Sequence, residues 1–119
     1  LAVTILTSMS ERDTADVGLG SYPLQTAMRL AALAREAGCD GVVCSAHEVR
    51  GIKSAIGADF LTLTPGIRPA GSDAGDQKRT TTPAQAVAAG ADYLVVGRPI
   101  TQAPDPAAAA KAILEEMRS

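Results

Sequence analysis

Short apolar runs alternate along the chain with longer stretches in which alanine and leucine recur at helical spacing. Four runs, at residues 2–6, 41–44, 60–63 and 93–96, are almost continuously apolar rather than alternating with polar residues. Parallel strands that are covered on both faces have this pattern. The sequence therefore predicts four buried parallel strands.

Four helices are predicted between and after these strands, over residues 23–37, 45–57, 82–90 and 105–117. Ser45 and Glu48 have the spacing of a capping box, in which two side chains satisfy free backbone N–H groups at a helix start. Thr82 and Gln85 repeat that spacing, with Pro83 at the first helical position. Strand–helix alternation with short connections predicts right-handed βαβ units and a parallel sheet.

Two architectures accommodate four such units: half of an eight-fold barrel, or a small doubly wound sheet of the flavodoxin kind. A flavodoxin-like sheet has its phosphate loop after the first strand, and residues 7–21 carry no such glycine pattern. Segments with glycine and arginine follow the third and fourth strands instead, where a TIM barrel has its phosphate site. We therefore predict an α/β fold in which residues 1–119 form the C-terminal half, strands 5 to 8, of a single (β/α)8 TIM-barrel domain. A half barrel would leave apolar strand edges open at residues 1–6 and 93–96.

Two segments that follow strands carry the main candidate chemistry. Residues 64–79 form a long connection, and such connections in compact domains are usually functional or disordered. Within it, Arg68 and Gln77 supply donors for phosphate or ribose oxygens. After the fourth strand, Gly97 lets its backbone N–H approach an anion, and Arg98 adds a full charge. These segments predict a two-loop phosphate cradle, against the alternatives of a solvated lid and a surface arginine after a turn glycine.

A third candidate lies at the end of the first strand, where Thr7 and Ser8 present hydroxyl groups. These could hydrogen-bond a polar ring such as a pyrimidine, or they could cap a loop. The residues alone leave both interpretations open.

Composition narrows the classes of function. The formal net charge is −2 without a cluster of basic residues, so nucleic-acid binding is not expected. No apolar run approaches the ~20 residues that cross a bilayer, and the first residues lack the basic region of a signal peptide, so we predict a cytoplasmic protein. Cys39 and Cys44 lie close together, but a zinc site would need more ligands nearby, and His47 is the only histidine of the sequence. Two reduced thiols and a solvated histidine are therefore expected, rather than zinc or a disulfide.

Four stretches of the sequence are similar to one family: Ala2-Val3-Thr4-Ile5-Leu6-Thr7-Ser8-Met9, Asp40-Gly41-Val42-Val43-Cys44-Ser45-Ala46, residues 64–77, and Val96-Gly97-Arg98-Pro99-Ile100-Thr101. The run Thr-Pro-Gly-Ile-Arg-Pro followed by Gly-Asp-Gln is highly specific. Gly-Arg-Pro-Ile is less so, because related phosphate-sugar barrels share versions of it. On these motifs, essentially the whole chain resembles the orotidine 5′-phosphate decarboxylase family in its bacterial form.

The resemblance implies a (β/α)8 barrel that works as a homodimer, without a metal or an organic cofactor. It also implies that the substrate is orotidine monophosphate, which loses CO2 to give uridine monophosphate. Carried over by motif, six residues would bind this nucleotide: Gln77, Arg98 and Gly97 at the 5′-phosphate, Arg68 along the nucleotide site, and Pro65 and Thr7 at the pyrimidine.

The family's catalytic Asp-x-Lys-x-x-Asp run does not occur in this sequence. Lys53, Lys78 and Lys111 stand in other contexts, so we assign no proton donor and predict no catalytic residue here. We expect a chain that supplies the binding loops, is inactive alone, and starts inside a strand without Met because an N-terminal half is missing. Two alternatives stay open: a non-catalytic phosphate- or nucleotide-binding module, and a sister barrel such as hexulose-phosphate synthase, against which the long loop argues.

Overall fold

A computed structural model describes residues 1–72 and 75–119 of the chain. Four strands in these residues form one sheet: β1 (Ala2–Val3), β2 (Gly41–Val43), β3 (Leu61–Thr64) and β4 (Tyr93–Leu94). The same residues contain six helices: α1 (Glu11–Asp16), α2 (Pro23–Glu36), α3 (Ala46–Ile56), α4 (Pro83–Ala88), α5 (Arg98–Thr101) and α6 (Pro106–Glu116). Asp73 and Ala74, which belong to the predicted long connection, lie outside the described residues.

All four predicted strands and all four predicted helices are confirmed; β1, β2 and β4 are shorter than their apolar runs, and β3 is shifted by one residue. Two further helices, α1 and α5, were not predicted. α1 has no apolar stripe, but its start is a capping box in which Ser10 pairs with Asp13. α5 is a single turn of four residues, too short for hydrophobic periodicity to reveal.

The order of the strands decides between the two architectures. The sheet runs β1-β2-β3-β4 in chain order, and every neighbouring pair is parallel. A doubly wound sheet reverses its strand order at a switch point, whereas a barrel adds each new strand on the same side. The observed order matches the barrel prediction and excludes the flavodoxin-like alternative. Within the described sheet, β1 and β4 each pair on one side, as the half-barrel prediction requires.

The helices cover one face of the sheet, and the main core lies between them and β2. Its buried members come from α2, β2, α3 and their neighbours: Ala31, Ala34, Val42, Cys44, Val49, Ile52 and Phe60. On the other face, Val3 is 61% exposed and Tyr93 is 55% exposed. The prediction that both faces are covered was therefore wrong for these residues. The inner face of a barrel is covered by side chains from strands across the barrel, and four strands do not reach around to supply them.

Gly41 allows β2 and β3 to approach closely. It pairs with Leu61 in register, and a Cβ atom at Gly41 would lie 2.6 Å from Leu61 Cβ and even closer to the Leu61 carbonyl oxygen. A side chain at this position would force the two strands apart. The glycine that opens the predicted second strand is therefore required by packing.

Asp92 connects three elements at the amino-terminal end of the sheet. Its Oδ2 accepts hydrogen bonds from Lys53 Nζ at 2.6 Å, from Thr62 N at 2.7 Å and from Thr62 Oγ1 at 2.9 Å. Burial raises the pKa of Asp92, but the hydrogen bonds from Lys53 and Thr62 outweigh it and lower the pKa below the usual value. The carboxylate form therefore stabilises the contact between α3 and β3.

The lowered pKa of Asp92 predicts how stability changes with pH. Because the folded pKa lies below the unfolded value of about 3.9, the contribution of Asp92 is present above about pH 4 and is lost as pH falls through the folded pKa. We expect Asp92→Asn to lower the melting temperature at neutral pH and to reduce the loss of stability on acidification. Thermal unfolding followed by circular dichroism from pH 7 down to about pH 3 measures both. An equal drop with acid in both proteins would contradict this role.

The two cysteines are free thiols, as predicted. Cys44 is buried at the end of β2, and burial raises the pKa of its thiol to about 12. His47 is exposed in the first turn of α3. No helix in the described part of the chain is long and apolar enough to cross a membrane.

Candidate functional site

All six residues predicted to bind a ligand line one cleft. It has a volume of about 160 Å³ and lies where the strands end, between the loops that follow β1, β3 and β4. Gly66 and Val95 complete its lining: Thr7, Pro65, Gly66, Arg68, Gln77, Val95, Gly97 and Arg98. The carboxyl-terminal end of the strands is the end at which TIM barrels carry their active sites. The structure thus brings together residues that are as far apart in sequence as Thr7 and Arg98.

Thr7 and Gln77 are joined directly across this cleft. The hydroxyl of Thr7, which is buried, donates a hydrogen bond to Gln77 Oε1 at 2.5 Å. The carbonyl oxygen of Thr7 accepts from Lys78 N at 3.1 Å and from Arg79 N at 3.2 Å. Because Gln77 accepts through its oxygen, its amide nitrogen supplies its donor N–H groups, and a hydrogen bond from the Gln77 side chain to the Asp76 carboxylate lowers the pKa of Asp76.

Gly66 lines the cleft in a backbone conformation that favours glycine. Its φ is +77°, and an added Cβ would lie 3.0 Å from the Arg79 carbonyl oxygen and 3.2 Å from Thr7 Cβ. Gly66 O also accepts a hydrogen bond from Thr81 N at 3.2 Å. The loop after β3 therefore packs against the end of β1 through a position without a side chain.

We expect Gly66→Ala to destabilise the protein by about 1–3 kcal/mol through its positive φ, and by more because the methyl group meets Thr7. Gly71→Ala is the matched control, since Gly71 has φ +79° but nothing within 4 Å of its added Cβ. Urea unfolding of both variants separates backbone strain from collision. Equal destabilisation of the two would show that the contact with Thr7 is unimportant.

Arg98 lies between this cleft and a second one of about 350 Å³, whose lining it shares with Arg68. Its guanidinium forms an ion pair with the exposed carboxylate of Asp76, and the hydrogen bond from Arg98 lowers the pKa of Asp76. An anion that binds Arg98 must displace this carboxylate or share the guanidinium with it. Sequence reasoning did not identify Asp76 as part of the site, because pairing between the two loops is visible only in three dimensions.

Arg79 and Glu48 form a largely buried ion pair that lines a separate cavity of about 460 Å³. The Glu48 side chain is 0% exposed and that of Arg79 is 15% exposed. Burial raises the pKa of Glu48, while the charge of Arg79 and the hydrogen bond from Ser45 N act in the opposite direction. The capping-box role predicted for Glu48 is confirmed, because its Oε2 accepts from Ser45 N at 2.8 Å. The pairing with Arg79, 31 residues away, was not predicted.

The groups around the two clefts suit an anionic, polar ligand. Two guanidinium groups and two carboxamides, those of Gln77 and Gln102, line them, and none of the three lysines of the sequence lines either cleft. Lys53 bonds Asp92 at the opposite end of the sheet, and Lys78 pairs with Asp13 at 2.6 Å. The geometry therefore supports binding and supplies no lysine as a proton donor to a ligand in these clefts.

A comparison with known families bears on this arrangement. The family model described as "Orotidine 5'-phosphate decarboxylase / HUMPS family" matches residues 1–113. The chain belongs to this family. All six residues predicted to bind a ligand lie within the segment that matches the family model.

Curated relatives in the family are similar over the whole chain. The orotidine 5′-phosphate decarboxylase of Vibrio parahaemolyticus is 54% identical over 119 residues, which are 100% of this chain and 51% of the relative. That of Gluconobacter oxydans is also 54% identical over 119 residues, covering 50% of the relative. The chain spans about half the length of the curated relatives that it matches.

Solved structures of the family have the same fold. The crystal structure of orotidine 5′-phosphate decarboxylase from Lactobacillus acidophilus aligns with a TM-score of 0.77 and 42% identity, covering 99% of this chain and 48% of that one. The enzyme from Pyrococcus horikoshii aligns with a TM-score of 0.62 and 33% identity, covering 82% of this chain and 44% of that one. The four strand–helix units therefore correspond to about half of a TIM barrel.

Proposed function

We propose that this chain is the nucleotide-binding half of an orotidine 5′-phosphate decarboxylase. In this proposal residues 1–119 supply strands 5 to 8 of a single (β/α)8 domain. The observation that carries it is the convergence of all six motif residues on one cleft at the carboxyl-terminal end of the strands. The substrate is orotidine monophosphate, and the products are uridine monophosphate and CO2.

The proposed roles follow the position of each residue in the cleft. Gln77, Arg98 and the backbone at Gly97 hold the 5′-phosphate, because they lie together where the loops after β3 and β4 meet. The guanidinium of Arg98 offers two N–H groups to a phosphate, a geometry that favours planar, charge-assisted contacts. Thr7, on the opposite side of Gln77, contacts the pyrimidine, with Pro65 packed beside it. Arg68 lies along the nucleotide between them.

This division of labour has an energetic reason. Contacts to a phosphate far from the reacting carbon can be used to close the binding loop and to organise the site. Removing CO2 also requires charged groups against the carboxylate and a proton for the ring carbon that loses it. The chain presents the binding groups, and the remainder of the complete enzyme supplies the reacting ones.

The proposal also includes a homodimer and a cytoplasmic location, which stay predictions. It includes no cofactor and no metal. A dimer would be measured by light scattering of the protein used in the next experiment.

The test uses a joined protein, in which the first half of the Vibrio parahaemolyticus relative precedes this chain. We expect the joined protein to convert orotidine monophosphate to uridine monophosphate, followed by the change in absorbance of the pyrimidine. We expect the 119-residue chain alone to show no turnover. Saturable binding of uridine monophosphate without turnover in the joined protein would favour a non-catalytic module. Turnover of a hexulose phosphate in place of the nucleotide would favour the sister barrel instead.

A further inference from the structure

Arg79 lies at the end of the long connection, where the chain turns from the cleft toward α4. It is held from two sides at once. Its Nη1 donates to Glu48 Oε1 in the first turn of α3, and its Nη2 donates to Ile5 O at 3.0 Å and to Leu6 O at 3.2 Å. One guanidinium thus joins α3 to the chain that leaves β1.

Backbone N–H groups at residues 78 and 79 bind Thr7, the residue that follows Ile5 and Leu6. Lys78 N and Arg79 N both donate to Thr7 O, immediately after the carbonyls that the Arg79 side chain bonds. Three consecutive carbonyl groups, those of residues 5 to 7, therefore accept hydrogen bonds from residues 78 and 79. Side-chain freedom of Thr7 is reduced further by its own bond to Gln77.

The loop after β3 is fixed by the same segment. Thr81 N donates to Gly66 O at 3.2 Å, and Arg68 N donates to Thr81 O at 2.9 Å. The Arg79 carbonyl oxygen lies against Gly66, 3.0 Å from where a Cβ would stand. Residues 77–81 therefore contact both sides of the cleft: Thr7 after β1, and Gly66 and Arg68 in the loop after β3.

We infer that Arg79, held by Glu48, is a positioning residue that sets the distance between Thr7 and Gln77 and so fixes the pyrimidine end of the cleft relative to the phosphate end. The inference rests on the proposed function, because it concerns the same nucleotide site. A planar fork that is pinned on both sides keeps its orientation better than a lysine, which offers a point charge on a flexible stem. The burial of the pair gives it the low-dielectric surroundings in which such contacts are strongest.

The experiment measures binding of uridine monophosphate to the joined protein and to its Arg79→Lys variant. The lysine keeps the charge opposite Glu48, but its donors all stand on one nitrogen atom, whereas Arg79 bonds Glu48 through Nη1 and the two carbonyls through Nη2 of a rigid planar group. We expect the dissociation constant to rise about ten- to a hundred-fold, as a small misplacement of binding groups does. Glu48→Gln is the second variant, because it keeps the shape and an acceptor oxygen for Arg79, and we expect a smaller rise in the same direction.

Lys53→Met is the matched control. Lys53 stands on the same helix as Glu48 and bonds Asp92 at the opposite end of the sheet, away from the cleft. We expect this variant to lower the urea midpoint while leaving the dissociation constant within about twofold, since distant sites act additively. If Arg79 had a purely structural role, Arg79→Lys would behave like Lys53→Met: the urea midpoint would fall while the dissociation constant stayed within about twofold.

A double-mutant cycle with Thr7→Val identifies the route of the effect. If Arg79 acts through Thr7, the loss of affinity in the double variant is smaller than the product of the two single losses. An unchanged dissociation constant for both Arg79→Lys and Glu48→Gln, or strictly multiplicative losses in the cycle, would overturn the inference while the proposed function stands. A parent joined protein that does not bind uridine monophosphate would overturn the proposed function, and the inference with it.

Discussion

Glu48→Ala in the joined protein is expected to lower the free energy of unfolding by about 3–5 kcal/mol, the range found when one partner of a buried ion pair is removed. The substitution leaves the Arg79 guanidinium without its carboxylate in a place where Glu48 is 0% exposed. It also removes the acceptor for Ser45 N at the start of α3. Because proteins are stable by only about 5–15 kcal/mol, much of the folded population would be lost at moderate urea.

Urea unfolding followed by circular dichroism measures this change, with Glu115→Ala as the control. Glu115 is exposed on α6, so its removal should change the free energy of unfolding by less than about 0.5 kcal/mol. A loss at Glu48 that is no larger than the loss at Glu115 would show that the pair contributes nothing to stability.

Arg98→Ala is expected to weaken binding of uridine monophosphate to the joined protein by about ten- to a hundred-fold. A charge-assisted contact with phosphate contributes about 1.5–3 kcal/mol, which corresponds to that range. Isothermal titration at fixed salt concentration gives the dissociation constant directly. Arg118→Ala, which removes an exposed arginine from the end of the chain, is the control for the change in net charge.

Asp76→Asn tests the same contact from the other side. Its carboxylate pairs with Arg98 in this structure, so the phosphate competes with it for the guanidinium. We expect the asparagine variant to bind uridine monophosphate more tightly than the parent protein, by a fewfold. If Arg98→Ala keeps the parent affinity, Arg98 has no role in phosphate binding, whatever Asp76→Asn does.

Sequence patterns were sufficient for the parts of the fold that depend on neighbours along the chain. The capping box of Ser45 and Glu48 started α3, and Pro83 stood in the first turn of α4, because these signals act within a few residues. Near-continuous apolar runs identified the strands. They did not reveal that Val3 and Tyr93 face away from the helices, because periodicity cannot tell which neighbour covers a residue.

The candidate site likewise has a part that the sequence predicted and a part that it did not. Motifs placed Thr7 and Arg98 just after strands and Gln77 in the long connection after β3, and parallel strands that end together bring such segments to one cleft. The pairing of Glu48 with Arg79 joins residues 31 positions apart and leaves no pattern in either segment. Long-range contacts of this kind, which hold the residues around the cleft in place, could therefore not be predicted from the sequence and are seen only in the structure.

Within the described residues, β1 and β4 each have a strand partner on one side, and the position of these two edges has a consequence for symmetry. All four strands are parallel and follow one another in chain order, so the free side of β4 in one copy is complementary to the free side of β1 in another. The same head-to-tail contact made twice would close a ring of eight strands with a two-fold axis. Two copies of this four-stranded sheet can therefore make, between chains, the edge-strand hydrogen bonds that a closed eight-stranded barrel makes within one chain.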